Sequence, residues 1–211
     1  MYKKLIVDSG KRMLNSGLTV ETWGNISARD PGNSLIYLTP SGMAYDTICE
    51  DDIVTANIDG TIVDGKRRPT VEFELHLGIY RARPEINAVV HTHPLYSQIF
   101  GVLHESIPAL IDEAAQVLGG EVRCARYALP GTRELAEACV EALGKSACAC
   151  LLANHGAVSI GGDMNAAFRT AKVLEMTAQI YAQARAIGKP CLLEQSQIDY
   201  MYDFARHRYG Q

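Results

Sequence analysis

Two histidines, His91 and His93, stand two residues apart at the end of the apolar run 88–90. If that run forms a strand, its period of two places both imidazole rings on one face of the sheet. Pro94 cannot donate to a sheet ladder, so we expect the strand to end there and to leave both rings at its rim. Because neutral imidazole suits Zn, Cu, Fe and Ni, the pair indicates a metal site, although two unrelated surface histidines would give the same pattern.

A third histidine has the same placement. The apolar segment 147–153 is typical of a buried strand, and Asn154-His155-Gly156 follows it directly. A catalytic metal needs about three protein ligands and one open position. His155 is therefore the natural third ligand.

A carboxylate precedes the first two histidines in the chain. A helix is predicted over residues 70–81, with Thr70 as its N-cap. Glu72 would lie in the first turn, where the helix macrodipole favours a carboxylate, so its residue type has a purely structural explanation as well as a catalytic one. His76 is four residues further on and could pair with Glu72. We interpret His76 as a structural histidine rather than a ligand.

Two turns could hold an anion. Gly24-Asn25 and Ser41-Gly42 combine small residues with amide and hydroxyl donors and with backbone N–H groups that an anion can approach closely. Ordinary turn chemistry explains the same residues about as well, so an anion site and a plain turn both remain open.

Composition limits the class of protein. The chain has 211 residues, of which 47 % are hydrophobic and 21 % charged, and we expect one globular domain over residues 1–211. A net charge of −4 gives no indication of nucleic-acid binding. There is no apolar run long enough for a secretory signal or a membrane span. The six cysteines form no regular framework, so we expect a cytoplasmic protein with free thiols, Cys148 and Cys150 among them.

The elements that must position these residues follow from periodicity and turn signals. Helices are predicted over 3–16, 70–81, 96–103, 134–143, 164–187 and 195–208. Strands are predicted over 35–38, 51–58, 61–63, 87–90, 122–127 and 147–153, the second and third of them joined by a hairpin turn. Thr132 and Asp163 are the expected N-caps of the helices that follow them. The first sixty residues suggest an antiparallel meander after one helix.

Taken together, the motifs resemble those of the class II aldolase/adducin family. They occur in the order Gly24-Asn25-x-Ser27, Thr39-Pro40-Ser41-Gly42, Glu72, His91-x-His93 and Asn154-His155-Gly156. The match runs from Gly24 to the C-terminal tyrosine. The resemblance implies a three-layer αβα fold with a central, mainly antiparallel β-sheet flanked by helices. It also implies a cyclic homotetramer with active sites between subunits.

The resemblance assigns roles to single residues. It implies a zinc ion held by His91, His93 and His155, and the same imidazole set also accepts Mn²⁺ or Co²⁺. It implies that Glu72 binds near the metal, counts among the groups around the ion, and serves as the catalytic acid and base. The implied pocket for a substrate phosphate consists of Gly24, Asn25, Ser41, Gly42 and Thr70.

Three positions decide how far the family pattern carries over. Val71 stands where the aldolases have a second small hydroxyl residue, so one phosphate donor is missing. Asp112 aligns with a tyrosine that faces a neighbouring subunit's site; it would either replace that tyrosine as a catalytic residue or cap the following helix. Tyr209 matches the C-terminal tyrosine that protonates or orients the aldehyde oxygen, the alternative being a frayed tail.

The implied activity is retro-aldol cleavage of a ketose 1-phosphate to dihydroxyacetone phosphate and a short aldehyde. L-fuculose 1-phosphate and a 5-deoxypentulose 1-phosphate are the candidate substrates. A pentulose-5-phosphate 4-epimerase is the main alternative, but the epimerase pattern carries Asp where this chain has Glu72. A sugar-phosphate dehydratase or decarboxylase would use the same scaffold. An adducin-like binding head without metal is disfavoured, since all three histidines and Glu72 are present.

Overall fold

Eight strands form one mixed sheet in the computed structural model, which describes residues 1–208. The strands are Asn25–Arg29 (β1), Ile36–Leu38 (β2), Val54–Ala56 (β3), Ile62–Asp64 (β4), Ala88–Thr92 (β5), Cys124–Ala125 (β6), Ala149–Leu152 (β7) and Gly156–Gly161 (β8). Their order across the sheet is β4-β3-β2-β1-β5-β8-β7-β6. All neighbours are antiparallel except β6 and β7, so the predicted, mainly antiparallel sheet is confirmed.

Helices cover both faces of this sheet. Within the described residues they are Tyr2–Asn15 (α1), Phe73–Ala82 (α2), Leu95–Leu103 (α3), Asp112–Leu118 (α4), Arg133–Leu143 (α5), Met164–Ile187 (α6) and Gln195–His207 (α7). Helices α2 and α5 pack on one face, and α1, α3, α4, α6 and α7 pack on the other. This is the three-layer αβα arrangement that the family resemblance implies. None of the helices in the part of the chain described here is both long and apolar enough to span a membrane.

Alternation along the strands explains the two layers. In β5, Val89 packs against the α2 layer, whereas Ala88 and Val90 pack against α1 and α6. The central strands are buried on both faces, so their sequences read as apolar runs rather than as alternating ones. Helices α5 and α6 begin at the predicted N-caps: Thr132 Oγ1 accepts from Leu135 N, and Asp163 Oδ1 accepts from Ala166 N.

The predicted helix over 70–81 begins later than expected, and Thr70 is not its N-cap. Helix α2 starts at Phe73, with Glu72 in the N-cap position. The cause is pairing with the sheet, since Thr70 donates its backbone N–H to the carbonyl of Thr39. A residue bonded to an extension of β2 cannot take helical dihedrals at the same time. Glu72 consequently lies at the junction between the sheet and the helix.

Several strands also differ from the prediction. The strand predicted over 122–127 is reduced to β6, because Val122 pairs with Ile107 in an isolated bridge. The strand predicted over 51–58 opens with a 3₁₀ turn and joins the ladder only in β3. Strands β1 and β8 have no counterpart among the predicted strands. β8 begins and ends in glycine, which weakens the signal of a strand.

Candidate metal centre

The three histidines come from the middle of the sheet. His91 is in β5, His93 follows that strand directly, and His155 lies in the turn between β7 and β8. In this turn Asn154 takes a left-handed conformation with φ of 53°, which asparagine tolerates better than most residues. The Asn154 carboxamide oxygen accepts a hydrogen bond from His104 Nε2 at 2.6 Å, which holds the turn in place.

The rings converge closely enough to bind one ion. Their centroids are 4.8 Å apart for His91 and His93, 4.8 Å for His91 and His155, and 5.0 Å for His93 and His155. The ligand nitrogens all lie within 4.8 Å of one another. His91 Nδ1 donates to the carbonyl of Ala157 at 3.0 Å, so its Nε2, which lies 3.1 Å from His93 Nε2, carries the lone pair that can bind an ion. His155 Nδ1 is buried without a hydrogen-bond partner, so the cluster is not satisfied by protein groups alone.

All three imidazoles are held in the neutral form that a metal requires. Burial, and then the neighbouring His93 and His155, place the pKa of His91 well below its usual value. Burial and the nearby His155 lower the pKa of His93 to about 4. Burial also lowers the pKa of His155, although the charge of Glu72 opposes that effect. The donor set therefore fits a divalent cation bound through nitrogen.

Glu72 faces the histidines with one oxygen and the protein interior with the other. Its Oε1 lies 3.5 Å from His155 Nε2. Its Oε2 accepts a hydrogen bond from Asn25 Nδ2 at 2.5 Å. The side chain is only 9 % exposed, so these two neighbours define its surroundings. The two oxygens are thus chemically distinct, and only Oε1 is directed towards the histidine cluster.

A cavity of about 400 Å³ opens beside Glu72 and the histidines. All five residues of the predicted phosphate pocket line it: Gly24, Asn25, Ser41, Gly42 and Thr70. Other groups complete its wall, namely Thr22, Trp23, Pro40, Val71, Glu72, His93, Pro130 and His155. The structure therefore gathers residues from six separate stretches of sequence around one space, and two of these stretches supply the candidate metal ligands His93 and His155.

Among the predicted site residues that the structure describes, His91 and Asp112 do not line this cavity. Asp112 is an exposed residue at the start of α4. The alternative that it caps this helix is wrong, because Ile111 occupies the N-cap position and Asp112 is already helical. Tyr209 lies outside the described residues.

His76 is structural, as interpreted from the sequence, but it does not pair with the Glu72 carboxylate. Its Nε2 is hydrogen-bonded to Asn25 Oδ1 and its Nδ1 to Ser27 Oγ, each at 2.6 Å. Burial lowers its pKa to about 3, so the ring is neutral. Asn25 therefore stands between His76 and Glu72.

Sequence reasoning missed Trp23 and Pro130, which both line the cavity. Trp23 stacks on His93 with ring centroids 6.3 Å apart, and 58 % of its surface is exposed. Pro130 belongs to the loop before α5, where no residue type indicates chemistry. The signal for Trp23 was its position immediately before Gly24, in a stretch already singled out as a turn.

Comparison with known proteins places the chain in a family. The model of the class II aldolase and adducin N-terminal domain matches residues 4–182, so the chain belongs to the class II aldolase/adducin family. The predicted class of enzyme, a metal-dependent aldolase, is confirmed.

Individual relatives cover most of the chain. The 5-deoxy-D-ribulose 1-phosphate aldolase of Bacillus thuringiensis serovar kurstaki is 40 % identical over 194 residues, 92 % of this chain and 90 % of that protein. The L-fuculose phosphate aldolase of Escherichia coli K12 is 37 % identical over 185 residues, 88 % of this chain and 84 % of that protein. A solved structure of an L-fuculose 1-phosphate aldolase has a TM-score of 0.94 at 35 % identity and covers 97 % of this chain and 96 % of its own.

Proposed function

We propose that this single-domain protein cleaves a ketose 1-phosphate to dihydroxyacetone phosphate and a short aldehyde. One observation carries the proposal: three neutral histidines, a buried carboxylate and a polar cavity lie side by side. A 5-deoxypentulose 1-phosphate is the preferred substrate class, because the relative of that activity matches with higher identity and coverage than the fuculose phosphate aldolase.

His91, His93 and His155 would hold the cation, which we propose to be Zn²⁺, with Mn²⁺ or Co²⁺ accepted by the same ligands. When bound, the ion acts as a Lewis acid that stabilises negative charge developing on the ketose oxygens during cleavage. Because the three histidines are neutral, they leave the full charge of the ion available for that purpose. Glu72 completes the surroundings of the ion through Oε1.

Glu72 is the group proposed to move the proton. Its Oε2 is committed to Asn25, so Oε1 is the oxygen that can take a proton from the substrate and return it to a substrate carbon. The carboxylate lies at the cavity wall and is shielded from bulk water, which supports a proton transfer confined to the site.

The substrate phosphate is assigned to the other end of the cavity. Gly24 and Gly42 have φ of 72° and 67°, left-handed values that glycine favours, and their turns place backbone at the cavity wall. Ser41 and Thr70 add hydroxyl donors, and Asn25 keeps one N–H that Glu72 does not use. Val71 adds no donor to this end of the cavity.

A homotetramer with sites between subunits is part of the proposal. Helix α3, which starts two residues after His93, leaves large apolar side chains exposed at Leu95, Ile99, Val102 and Leu103. Such a stripe beside the cluster supports a subunit interface at the site. Asp112 and Tyr209 would then act at the site of a neighbouring subunit. We propose a cytoplasmic location, which free thiols at Cys139 and Cys150, 3.6 Å apart, support.

A substrate panel tests the function. The zinc-loaded protein would be assayed for dihydroxyacetone phosphate release from 5-deoxy-D-ribulose 1-phosphate and L-fuculose 1-phosphate, and for epimerisation of L-ribulose 5-phosphate. Release from a ketose 1-phosphate that chelator abolishes supports the aldolase. Epimerisation without release would replace it by the epimerase. Inactivity on all three substrates would refute the proposed substrate class.

A further inference from the structure

Two rows of buried polar side chains face each other behind the candidate site. Helix α2 and its N-cap contribute Glu72, His76 and Tyr80, which are spaced four residues apart and so lie on one stripe of the helix. Strand β1 contributes Asn25 and Ser27, spaced two apart and so on one face of the sheet. All five residues are buried, and Glu72 is the most exposed of them at 7 % of its surface.

Hydrogen bonds join the two rows into one continuous chain. Tyr80 OH lies 2.8 Å from Ser27 Oγ, and Ser27 Oγ lies 2.6 Å from His76 Nδ1. His76 Nε2 lies 2.6 Å from Asn25 Oδ1. Asn25 Nδ2 then donates to Glu72 Oε2. The chain therefore begins at a phenol and ends on the carboxylate that is proposed to move the proton.

The direction of every donor follows from the last bond. An ionised carboxylate only accepts, so Asn25 must present its NH₂ to Glu72 and its oxygen to His76. His76 must then carry its proton on Nε2, and its Nδ1 must accept from the Ser27 hydroxyl. The Ser27 oxygen is left to accept from Tyr80. Each donor in the chain thus points towards Glu72.

We infer that His76, Ser27 and Tyr80 are positioning residues of the site, an inference that rests on the proposed role of Glu72. Together they lock the Asn25 carboxamide in the orientation that holds Glu72 Oε2. This leaves Oε1 as the one oxygen able to exchange a proton with the substrate. If Asn25 turned over, its oxygen would face the carboxylate, and Glu72 would lose the hydrogen bond that aims it at the cavity.

A purely structural role does not explain this chain of hydrogen bonds. A contact between a helix and a sheet is filled most simply by apolar side chains, and each buried polar group destabilises the fold unless it is fully satisfied. The neighbouring positions in the same layer, such as Leu77 and Val89, are indeed apolar. The five polar groups lie in the two facing rows that lead to Glu72.

The first test examines the chain of hydrogen bonds directly and needs no substrate. The protein would be labelled with ¹⁵N-histidine, and the His76 signals would be identified by their loss in His76→Gln. We expect the proton on Nε2, and we expect Tyr80→Phe to shift the Nδ1 signal, although Tyr80 acts on His76 only through Ser27. A proton on Nδ1, or an Nδ1 signal that Tyr80→Phe leaves unchanged, would overturn the inference.

The second test compares two replacements of the same side chain, with zinc content checked in both. His76→Gln keeps an N–H that can donate to Asn25, whereas His76→Leu removes it. We expect His76→Leu to lower kcat about tenfold to a hundredfold with KM changed far less, and His76→Gln to recover most of the loss. If His76→Leu and His76→Gln, both folded and zinc-loaded, have equal kcat values, the positioning role is refuted. If His76→Leu does not fold, Ser27→Ala takes its place in the same comparison with His76→Gln. If the wild-type protein has no aldolase activity, the proposed function is refuted instead. The spectroscopic result would still test the chain of hydrogen bonds.

Discussion

Asn25 and His91 stand directly opposite each other in the antiparallel ladder between β1 and β5. Residues that face each other in a ladder point to the same side of the sheet. Asn25, whose amide holds Glu72, and His91, the first candidate ligand, therefore project from the same face. The backbone pairing of two central strands, rather than a loop, thereby fixes the carboxylate relative to the histidine cluster. Rigid elements of this kind hold a catalytic constellation more accurately than loops do.

Glu72→Gln should retain bound zinc and lose turnover. The amide can still accept from Asn25 but cannot take up a proton, so we expect kcat to fall by about 10²- to 10⁴-fold. Steady-state kinetics and metal analysis of the same sample measure both effects. Glu74→Gln, which changes a half-exposed side chain in the first turn of the same helix, is the control and should be nearly fully active. Substantial activity in Glu72→Gln would mean that another group acts as the base.

His155→Ala should lose metal and activity together. With one of three ligands gone, the two remaining imidazoles cannot hold the ion in a closed set. Metal content after gel filtration, read beside activity, checks this. His207→Ala, which changes an exposed ring at the far end of α7, should leave the metal content unchanged. If His155→Ala kept stoichiometric zinc, the ligand assignment would fail.

Gly24→Ala should destabilise the fold and disturb the site, whereas Gly17→Ala should do only the former. Both glycines have positive φ, 72° and 67°, which costs a residue with a Cβ about 1–2 kcal/mol. At Gly24 the added carbon would also lie 2.5 Å from the His91 carbonyl oxygen, whereas at Gly17 nothing lies within 4 Å. Urea unfolding of the two variants measures the difference. Equal losses of stability would show that the close approach of Gly24 to β5 is not constraining.

Asp52 should stabilise the fold in a pH-dependent way. The salt bridge with Arg67, and then hydrogen bonds from Cys49, lower the pKa of Asp52 to about 2. Because the folded-state pKa lies below the unfolded value of about 3.9, the stabilisation is complete above that value and is lost as the pH falls towards 2. Asp52→Asn should therefore be less stable than wild type at pH 6, and the gap should close progressively below pH 4. Asp51→Asn, which removes a carboxylate from an exposed neighbour outside the salt bridge with Arg67, is the matched control.

Tyr209→Phe should slow cleavage while leaving the fold and zinc content unchanged. The family resemblance gives this hydroxyl the task of protonating or orienting the aldehyde oxygen, a contribution of about 10²-fold or more. Removing residues 207–211 should have at least as large an effect on kcat. Circular dichroism and metal analysis would show whether the core is intact. If both variants cleave the substrate as fast as wild type, residues 207–211 have no part in the reaction.

Local signals made part of the site predictable. Patterns that span only a few residues sufficed to predict that the three histidines lie close together. These patterns are the period of two, the proline after His93 and the glycine after His155. They could not show that β1 lies next to β5, because these strands are far apart in the chain and pair through the backbone. The true partner of His76 depends on that pairing.

The start of α2 was misplaced for a related reason. Propensity favours a helix from Thr70, but its N–H is already engaged by the carbonyl of Thr39, a contact that only the folded sheet creates. The missed Trp23 belongs to the same class of error, since its stacking on His93 joins segments some seventy residues apart.

That stack has a practical consequence. Trp23 is the only tryptophan of the chain, and its indole lies against His93 at the cavity wall. Intrinsic fluorescence excited in the tryptophan band therefore arises at the site rather than from the core. Emission should change when an ion binds His93 or when a ligand fills the cavity. The protein thus carries its own optical reporter of occupancy, which allows titration of metals and phosphorylated sugars without any label.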